Sequence, residues 1–466
     1  MLNIETKGFE IVHAQREILR TFLEYKNPEE YEKDATLHLW FENGYAVAEW
    51  KDAQVSKIYR QPIQPLDEVK SMKLCIYNLM TMVFDRSLPW GSLTGIRPVA
   101  YLEENISRLG AEVAEQYFLK LYGVSEEKYK IAKEILEMQK DILSLRQHSH
   151  IIYVHIPFCP SRCKYCSFAT MTMDRKGHLM GAYVDTLKRE IIEGSHLISN
   201  TKPVSIYIGG GTPSTLSPQQ VQELIPLLIK AFGHTKEITF EAGRPDTITK
   251  ELLESLSFCG VDRISVNPQT LKEETLRKIG RGHGVKEVYD AFHLARQYDL
   301  DVNMDMILGL AGENSEDVMD TLDQLLKLEP ENITVHALAI KNGSEWKQSN
   351  IRMARTIEEQ ASIIYKQLKG KEYFPYYLYR QRRQVGEAEN IGYSKRGKEN
   401  IFNILSMDDK VNVLGFGMGA VSKFVDGNNN IKRVFGYRDL DHYLQGYKKI
   451  LQDKEDAYTS CELTRV

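Results

Sequence analysis

The chain has 466 residues, of which 42% are hydrophobic, so it is long enough for two or three domains with buried cores. Its 60 basic and 64 acidic side chains give a formal net charge of −4, which provides no strong field for a nucleic acid backbone or an anionic membrane. The apolar stretches are too short to cross a bilayer, and residues 1–20 have the pattern of neither a secretory signal nor a transit peptide. We therefore expect a cytoplasmic protein that binds no nucleic acid and has no membrane span.

Residues 1–148 predict a small α+β domain, to which no motif assigns a role. Residues 37–40 and 46–50 alternate in strand fashion around Asn43-Gly44, a dipeptide typical of tight hairpin turns. Helical spacing of apolar residues predicts three helices, over residues 66–84, 111–122 and 126–147.

Residues 149–345 alternate short β-branched runs with helical patterns, which is typical of parallel βα units. Six strands are predicted, over residues 151–156, 204–208, 238–241, 263–266, 302–308 and 333–340. The fold class is therefore α/β, with a partial (β/α)6 TIM-like barrel. Residues 346–466 predict a C-terminal α+β extension that covers the substrate and contains a strand-like run over 411–422. In barrels of this kind, functional residues follow the carboxyl ends of the strands.

Three of the six cysteines, Cys159, Cys163 and Cys166, directly follow the first predicted barrel strand with CxxxCxxC spacing. Closely spaced thiols in a reducing compartment favour metal binding over disulfides. Three thiolates can bind three irons of a [4Fe-4S] cubane and leave the fourth iron open. The alternative is zinc, which normally takes four ligands at paired CxxC spacings, but no second pair is present and Cys259 stands alone.

The run from Tyr153 to Cys166, YVHIPFCPSRCKYC, resembles the cluster motif of the radical S-adenosylmethionine (SAM) superfamily, and specifically of the oxygen-independent coproporphyrinogen III oxidase family. The resemblance implies a [4Fe-4S] cluster on the three cysteines and SAM as the second cofactor. In that family the amino and carboxylate groups of SAM chelate the fourth iron, and an electron from the cluster cleaves SAM to methionine and a 5′-deoxyadenosyl radical.

The same resemblance implies SAM contacts near the ends of the strands and in the C-terminal GFGMGAVS run. These contacts are Tyr153, Gly210, Gly211, Thr212, Glu241, Gln269, Arg281, Asp305, Ala339 and Val421. The residue types suit this interpretation, since glycine permits close backbone approach and a guanidinium binds both oxygens of a carboxylate. Taken alone, the same residues could form ordinary turns, ion pairs and core packing. No side chain is assigned a catalytic role.

Two further runs have weaker interpretations. The segment 376–383, rich in tyrosine and arginine, could place rings against a tetrapyrrole and cations against its propionates, although a solvated face is the alternative. The glycines of residues 415–419 superficially resemble a dinucleotide-binding fingerprint, but no convincing helix and acidic residue follow at the required distances.

The resemblance implies oxidative decarboxylation of two propionates of coproporphyrinogen III to vinyl groups, giving protoporphyrinogen IX, with reduced flavodoxin or ferredoxin as electron donor. The LPWGSLTGIRP run of residues 88–98 is similar to the HemZ-type coproporphyrinogen dehydrogenase branch. Phe168 stands where the best-established oxidases of the family have a fourth cysteine, and a phenylalanine there also resembles the haem-chaperone branch. The alternatives are therefore a haem-binding chaperone and a radical SAM enzyme acting on another tetrapyrrole.

Overall fold

The structure is a computed structural model that describes residues 2–24, 35–63, 67–94, 97–146, 149–198, 201–339, 354–381 and 388–463. The chain divides into two compact units, Met1–Glu134 and Ile135–Val466. This division is coarser than the three predicted domains, whose boundaries stay a prediction.

The first unit contains a four-stranded sheet with helices. Its strands are β1 (Leu2–Lys7), β2 (Ala35–Glu42), β3 (Tyr45–Lys51) and β4 (Ser56–Pro62). Its helices are α1 (His13–Glu24), α2 (Glu68–Phe84), α3 (Pro98–Leu109), α4 (Ala111–Gln116) and the first part of α5 (Glu126–Leu143). The sheet order is β1-β2-β3-β4, in which β1 pairs in parallel with β2 and the other neighbours are antiparallel.

The predicted hairpin of the first unit is confirmed. Asn43 and Gly44 join β2 to β3 with φ values of 48° and 79°, the left-handed conformation that a two-residue turn of this kind needs. The inward side chains of the strands pack against α1 and α2, with Leu37, Trp50 and Met72 in the core. The predicted helices over 66–84 and 111–122 correspond to α2 and to α4 with the π-helical turn that follows it.

The second unit alternates strands and helices. Its strands are β5 (His150–Ile156), β6 (Phe158–Cys159), β7 (Met171–Thr172), β8 (Ser205–Gly210), β9 (Glu237–Gly243), β10 (Arg263–Val266), β11 (Asp301–Leu308), β12 (Asn332–Ala337), β13 (Phe374–Tyr379), β14 (Asn390–Ser394), β15 (Asn412–Phe416), β16 (Val421–Val425) and β17 (Ile431–Phe435). Its helices are α6 (Met173–Lys176), α7 (Met180–Gly194), α8 (Pro218–Phe232), α9 (Lys250–Phe258), α10 (Glu273–Lys278), α11 (Val285–Ala295), α12 (Ser315–Leu328), α13 (Ala354–Gly370), α14 (Ile401–Met407) and α15 (Leu440–Glu462).

The main sheet has the order β13-β14-β12-β11-β10-β9-β8-β5-β15-β16-β17. The strands from β5 to β12 in this order are parallel and match the six predicted strands to within a few residues. The predicted α/β class with a partial barrel is confirmed.

The C-terminal strands extend the sheet of the core. β14 pairs antiparallel with β12, and β15 pairs in parallel with β5. The run over 411–422, predicted as one strand-like segment, forms β15 and β16 around a turn at which Gly417 and Gly419 have φ values of 97° and 77°. A strand, not a helix, follows these glycines, which is incompatible with a dinucleotide-binding fingerprint.

No helix within the described residues combines the length and the apolar character that crossing a bilayer requires.

Candidate active site

A cavity of about 440 Å³ lies at the carboxyl ends of the parallel strands. Its lining comes from the cysteine loop, from the ends of β8 to β12, and from β13 and α14. All predicted site residues except Tyr153 and Val421 line it. The fold therefore brings together side chains that are spread over about 180 positions of the sequence, as expected for strand ends of a parallel barrel.

The loop that carries the three cysteines is held on two sides. The short strand β6, which ends at Cys159, pairs in parallel with β7. On the other side, the Lys164 N–H donates to the Ile279 carbonyl at 3.0 Å, and the Ser161 hydroxyl donates to the Gly280 carbonyl at 3.2 Å. The loop is thereby fixed against the segment that leads to Arg281.

The three thiols of the cysteine loop fit a cubane cluster. Cys159, Cys163 and Cys166 line the cavity as free thiols, and burial raises the pKa of Cys159 and Cys166. Three thiolates can each bind one iron of a [4Fe-4S] cubane and leave the fourth iron open. The chemistry of the donor set therefore suits a [4Fe-4S] cluster.

Arg244 is a site residue that the sequence interpretation missed. Its guanidinium binds the Asp246 carboxylate through two hydrogen bonds of 2.9 and 3.0 Å. The remaining nitrogen, Nη1, donates to the Ser161 hydroxyl at 3.1 Å and lies 3.9 Å from the Cys163 sulfur. The ion pair with Asp246 thus fixes a cation beside the cysteine loop. Its position directly after β9 could have identified it from the sequence, because functional residues of such barrels follow the strand ends.

The glycine run after β8 makes room for the cysteine loop. A Cβ at Gly211 would lie 2.9 Å from the Cys159 sulfur and 2.7 Å from the Phe158 carbonyl oxygen, so a side chain does not fit. The N–H groups of Gly211 and Thr212 donate to the carbonyls of Ile156 and Phe158 at 2.8 and 2.7 Å. The close approach that requires glycine is therefore to the cysteine loop, and these two N–H groups are already paired.

Two predicted carboxylates share the cavity with a histidine that was not predicted. Burial, and then the charge of Asp305, raises the pKa of Glu241 to about 7. Asp305 accepts a hydrogen bond from the Asn303 amide at 2.7 Å, and its Oδ2 lies 3.6 Å from His336 Nε2.

Several polar atoms in this region are buried without a partner. Within the described residues, Asn267 Oδ1, Gln269 Oε1 and Arg281 Nε form no hydrogen bond. The Arg281 Nη atoms donate to the Asn267 carbonyl at 3.0 Å and to the Tyr165 hydroxyl at 3.2 Å. Unpaired buried polar groups are costly, so such a set is typical of a site that a polar ligand completes. The donors and acceptors fit the amino acid and hydroxyl groups of SAM.

The remaining predicted contacts take different positions. Ala339 lines the cavity just beyond β12. Tyr153 lies one layer behind it, with its ring stacked 6.2 Å from Tyr207 and 5.9 Å from Phe402. Val421 begins β16, where it pairs with Phe435 and does not line the cavity. All the predicted SAM contacts, including Tyr153 and Val421, stay predictions.

Aromatic rings form a second side of the cavity, which we call the aromatic wall: Tyr207, Tyr377, Tyr379 and Phe402. Tyr207 and Phe402 stack at 4.6 Å, and Tyr377 and Tyr379 stack at 6.2 Å with an interplanar angle of 12°. The tyrosines of the 376–383 run thus include two that line the cavity, whereas Arg382 and Arg383 lie outside the described residues.

Phe168, two positions after Cys166, also lines the cavity. Its side chain is 62% exposed, which is unusual for a phenylalanine. The position that distinguishes the oxidase and haem-chaperone branches in sequence is therefore occupied by an exposed apolar side chain beside the cysteines.

Residues 153–325 match the radical SAM superfamily, in agreement with the cysteine loop and the barrel. The fold and the site thus define a radical SAM protein, a class that uses a [4Fe-4S] cluster and SAM.

Within this class, the chain belongs to the family of oxygen-independent coproporphyrinogen-III oxidase-like proteins. It is 36% identical over 404 residues to the oxidase-like protein HemZ of Bacillus subtilis (strain 168), an alignment that covers 83% of this chain and 80% of that protein. It is also 27% identical over 296 residues to the heme chaperone HemW of the same organism, covering 62% of this chain and 75% of HemW.

The fold is shared with a solved structure, the coproporphyrinogen III oxidase HemN of Escherichia coli. The two superimpose with a TM-score of 0.54 at 21% identity, over 66% of this chain and 71% of HemN. At this identity the likeness shows the fold.

Proposed function

We propose that this protein is an oxygen-independent coproporphyrinogen III oxidase. Each of two substrate propionates loses a β-hydrogen atom and CO2 and passes one electron to a one-electron acceptor, which leaves a vinyl group, and the product is protoporphyrinogen IX. The observation that carries the proposal is the single cavity in which three free cysteines, a set of unpaired polar atoms and an aromatic wall meet.

The residues that would hold the cofactors follow from the geometry. Cys159, Cys163 and Cys166 would bind the cluster, and Arg281, Gln269 and the carboxylates Glu241 and Asp305 would bind SAM. When bound, the two cofactors supply a 5′-deoxyadenosyl radical that removes the β-hydrogen atom.

The chain's own residues would bind and orient SAM and the tetrapyrrole and shield the reacting carbon from water. Arg281 offers its unpaired Nε–H to a carboxylate. Glu241 offers an acceptor that has a pKa of about 7, so its ionised fraction changes with pH near neutrality. The stacked pairs of the aromatic wall present flat apolar faces that suit a tetrapyrrole and exclude water from the reacting carbon.

The proposal requires a one-electron reductant for the cluster. A reduced flavodoxin or ferredoxin is the donor class we propose, and a cytoplasmic location suits both this donor and an oxygen-sensitive cluster.

A second candidate function is haem binding and transfer. It is supported by the similarity to HemW and by Phe168, which replaces the fourth cysteine and lies exposed at the cavity. A radical SAM reaction on another tetrapyrrole is a third candidate, supported by the same cavity.

The test is an anaerobic assay of the full chain reconstituted with iron and sulfide. Coproporphyrinogen III and haem are offered separately, each with SAM and a reductant, and CO2, 5′-deoxyadenosine and Soret absorbance are measured. The oxidase predicts CO2 and protoporphyrinogen IX, both lost in Cys163→Ala. Formation of 5′-deoxyadenosine without CO2 from the porphyrinogen would contradict it, and a stable Soret band with haem alone would favour the chaperone.

A further inference from the structure

His336 lies in the cavity but belongs to none of the motifs that identify the family. It sits near the end of β12, with 25% of its side chain exposed toward the space that the cavity encloses. Its two ring nitrogens face different groups. Nδ1 lies 3.3 Å from Asn390 Oδ1, and Nε2 lies 3.6 Å from Asp305 Oδ2.

The surroundings of Asn390 determine which ring nitrogen carries a proton. Asn390 Oδ1 accepts from the Ala337 N–H at 3.2 Å, and its Nδ2 donates to the Tyr379 carbonyl at 3.2 Å. Flipping the amide would set donor against donor and acceptor against acceptor, so Oδ1 must face His336. Nδ1 is therefore a donor.

The second nitrogen faces a carboxylate. A neutral ring with its proton on Nδ1 would direct the Nε2 lone pair at Asp305, whereas a proton on Nε2 forms an ion pair across the 3.6 Å gap. Asp305 also accepts from the Asn303 amide, which orients its carboxylate from the other side. The acceptor that faces Nδ1 and the carboxylate that faces Nε2 together favour an imidazolium at His336.

A positive charge at His336 is favourable because two carboxylates share the cavity with it. Glu241 and Asp305 repel each other, and His336 partly offsets this repulsion at Glu241. Although burial favours the neutral ring, Asp305 and then Asn390 raise the pKa of His336 above its usual value.

We propose that His336 is a positioning residue: its imidazolium, held by Asn390, pairs with Asp305 and keeps that carboxylate directed into the cavity as an acceptor for the hydroxyl groups of SAM. This inference rests on the proposed function, because it concerns the same SAM site. It adds a residue from β12 and an anchor from β14 that the motifs do not contain.

The experiment measures SAM affinity by equilibrium dialysis on the full, cluster-reconstituted chain without reductant, so that no turnover occurs. His336→Phe should weaken SAM binding about tenfold or more, with iron and sulfide content unchanged. His293→Phe, at an exposed histidine on α11, is the matched control and should bind SAM like the wild type.

A double-variant cycle separates positioning from mere packing. If His336 acts through Asp305, the His336→Phe, Asp305→Asn double variant should bind SAM no more weakly than Asp305→Asn alone. Additive losses would overturn the inference, as would wild-type affinity in His336→Phe. Absence of SAM binding by the wild-type protein would instead refute the proposed function.

A spectroscopic readout tests the charge directly and needs no SAM. In ¹⁵N-histidine NMR spectra of the full chain at about pH 7, the signal pair that disappears in His336→Phe should show protons on both ring nitrogens. A ring with one unprotonated nitrogen at this pH would overturn the inference. His336→Gln, which keeps a donor without the charge, should recover only part of the SAM affinity.

Discussion

The two sides of the cavity are built on different physical principles. One side, which we call the cluster wall, is formed by Cys159, Cys163, Cys166, Gly211 and Arg281. Backbone and charge leave little freedom there, because Gly211 has no room for a Cβ beside Cys159 and the buried Arg281 donates to the Asn267 carbonyl. On the aromatic wall, stacked rings supply area and shape. Tyr377 and Phe402 are buried at 6% and 9% exposure, and the stacking of their rings is less directional than a hydrogen bond.

On the proposed function, this difference leads us to propose that the cluster wall fixes the chemistry and that the aromatic wall selects the substrate. Directional contacts lose most of their energy when one atom is removed, whereas ring packing tolerates a substitution of similar size. We therefore expect large effects from the cluster wall and graded effects from the aromatic wall.

The largest effect is expected at the cysteines. Cys163→Ala should lose the cluster, because two thiolates and an alanine leave one iron of the cubane without its protein ligand. Iron content and visible absorption of the reconstituted protein measure this. Cys259→Ala, at a buried cysteine on the C-terminal side of α9, is the control and should keep full iron content. Full iron in Cys163→Ala would contradict the ligand assignment.

Arg281 should give the next largest effect. Arg281→Met removes the fork that reaches the Asn267 carbonyl and leaves the ligand without a cation, so SAM affinity should fall about tenfold to a hundredfold. Arg281→Lys keeps the charge but not the two-pronged donor geometry, so its SAM affinity should lie between those of the wild type and Arg281→Met. Dialysis with labelled SAM measures both, with the exposed Arg277→Met as control. Equal affinity in all three variants would remove Arg281 from the site.

Glu241 should make SAM binding depend on pH. Its pKa is raised to about 7, so the ionised fraction, and with it the acceptor strength, increases as pH rises through neutrality. Wild-type SAM affinity should rise up to about tenfold between about pH 6 and pH 8, and Glu241→Gln should remove that part of the slope. The same slope in both proteins would show that another group titrates.

The aromatic wall should give the smallest effect. Tyr379→Leu removes one of two stacked rings and should weaken tetrapyrrole binding about threefold to tenfold, whereas Tyr379→Phe keeps the ring and should change it little. Steady-state KM for coproporphyrinogen III measures both, while SAM affinity should stay constant. A parallel loss of SAM affinity would mean that the aromatic wall also contributes to SAM binding, which contradicts separate roles for the two walls.

Much of the cluster wall was predictable because its signals are local in sequence. The strand over 263–266 follows from short-range pattern, and the cysteine spacing identifies the loop. In the first unit, the Asn43-Gly44 turn was predictable for the same reason. The contact of His336 with Asn390 joins residues 54 positions apart on two strands, and no local pattern contains it. Helix α14, which carries Phe402 into the cavity, was not predicted because its seven residues are too few to show a clear helical period.

The most direct test of the central claim follows a hydrogen atom. The reconstituted protein is incubated anaerobically with SAM, a reductant and coproporphyrinogen III deuterated at the β-positions of its propionates, and the 5′-deoxyadenosine is analysed by mass spectrometry. The proposed oxidase predicts 5′-deoxyadenosine that carries one deuterium, together with a vinyl product. Unlabelled 5′-deoxyadenosine with intact propionates would contradict the claim that this cavity oxidises coproporphyrinogen III.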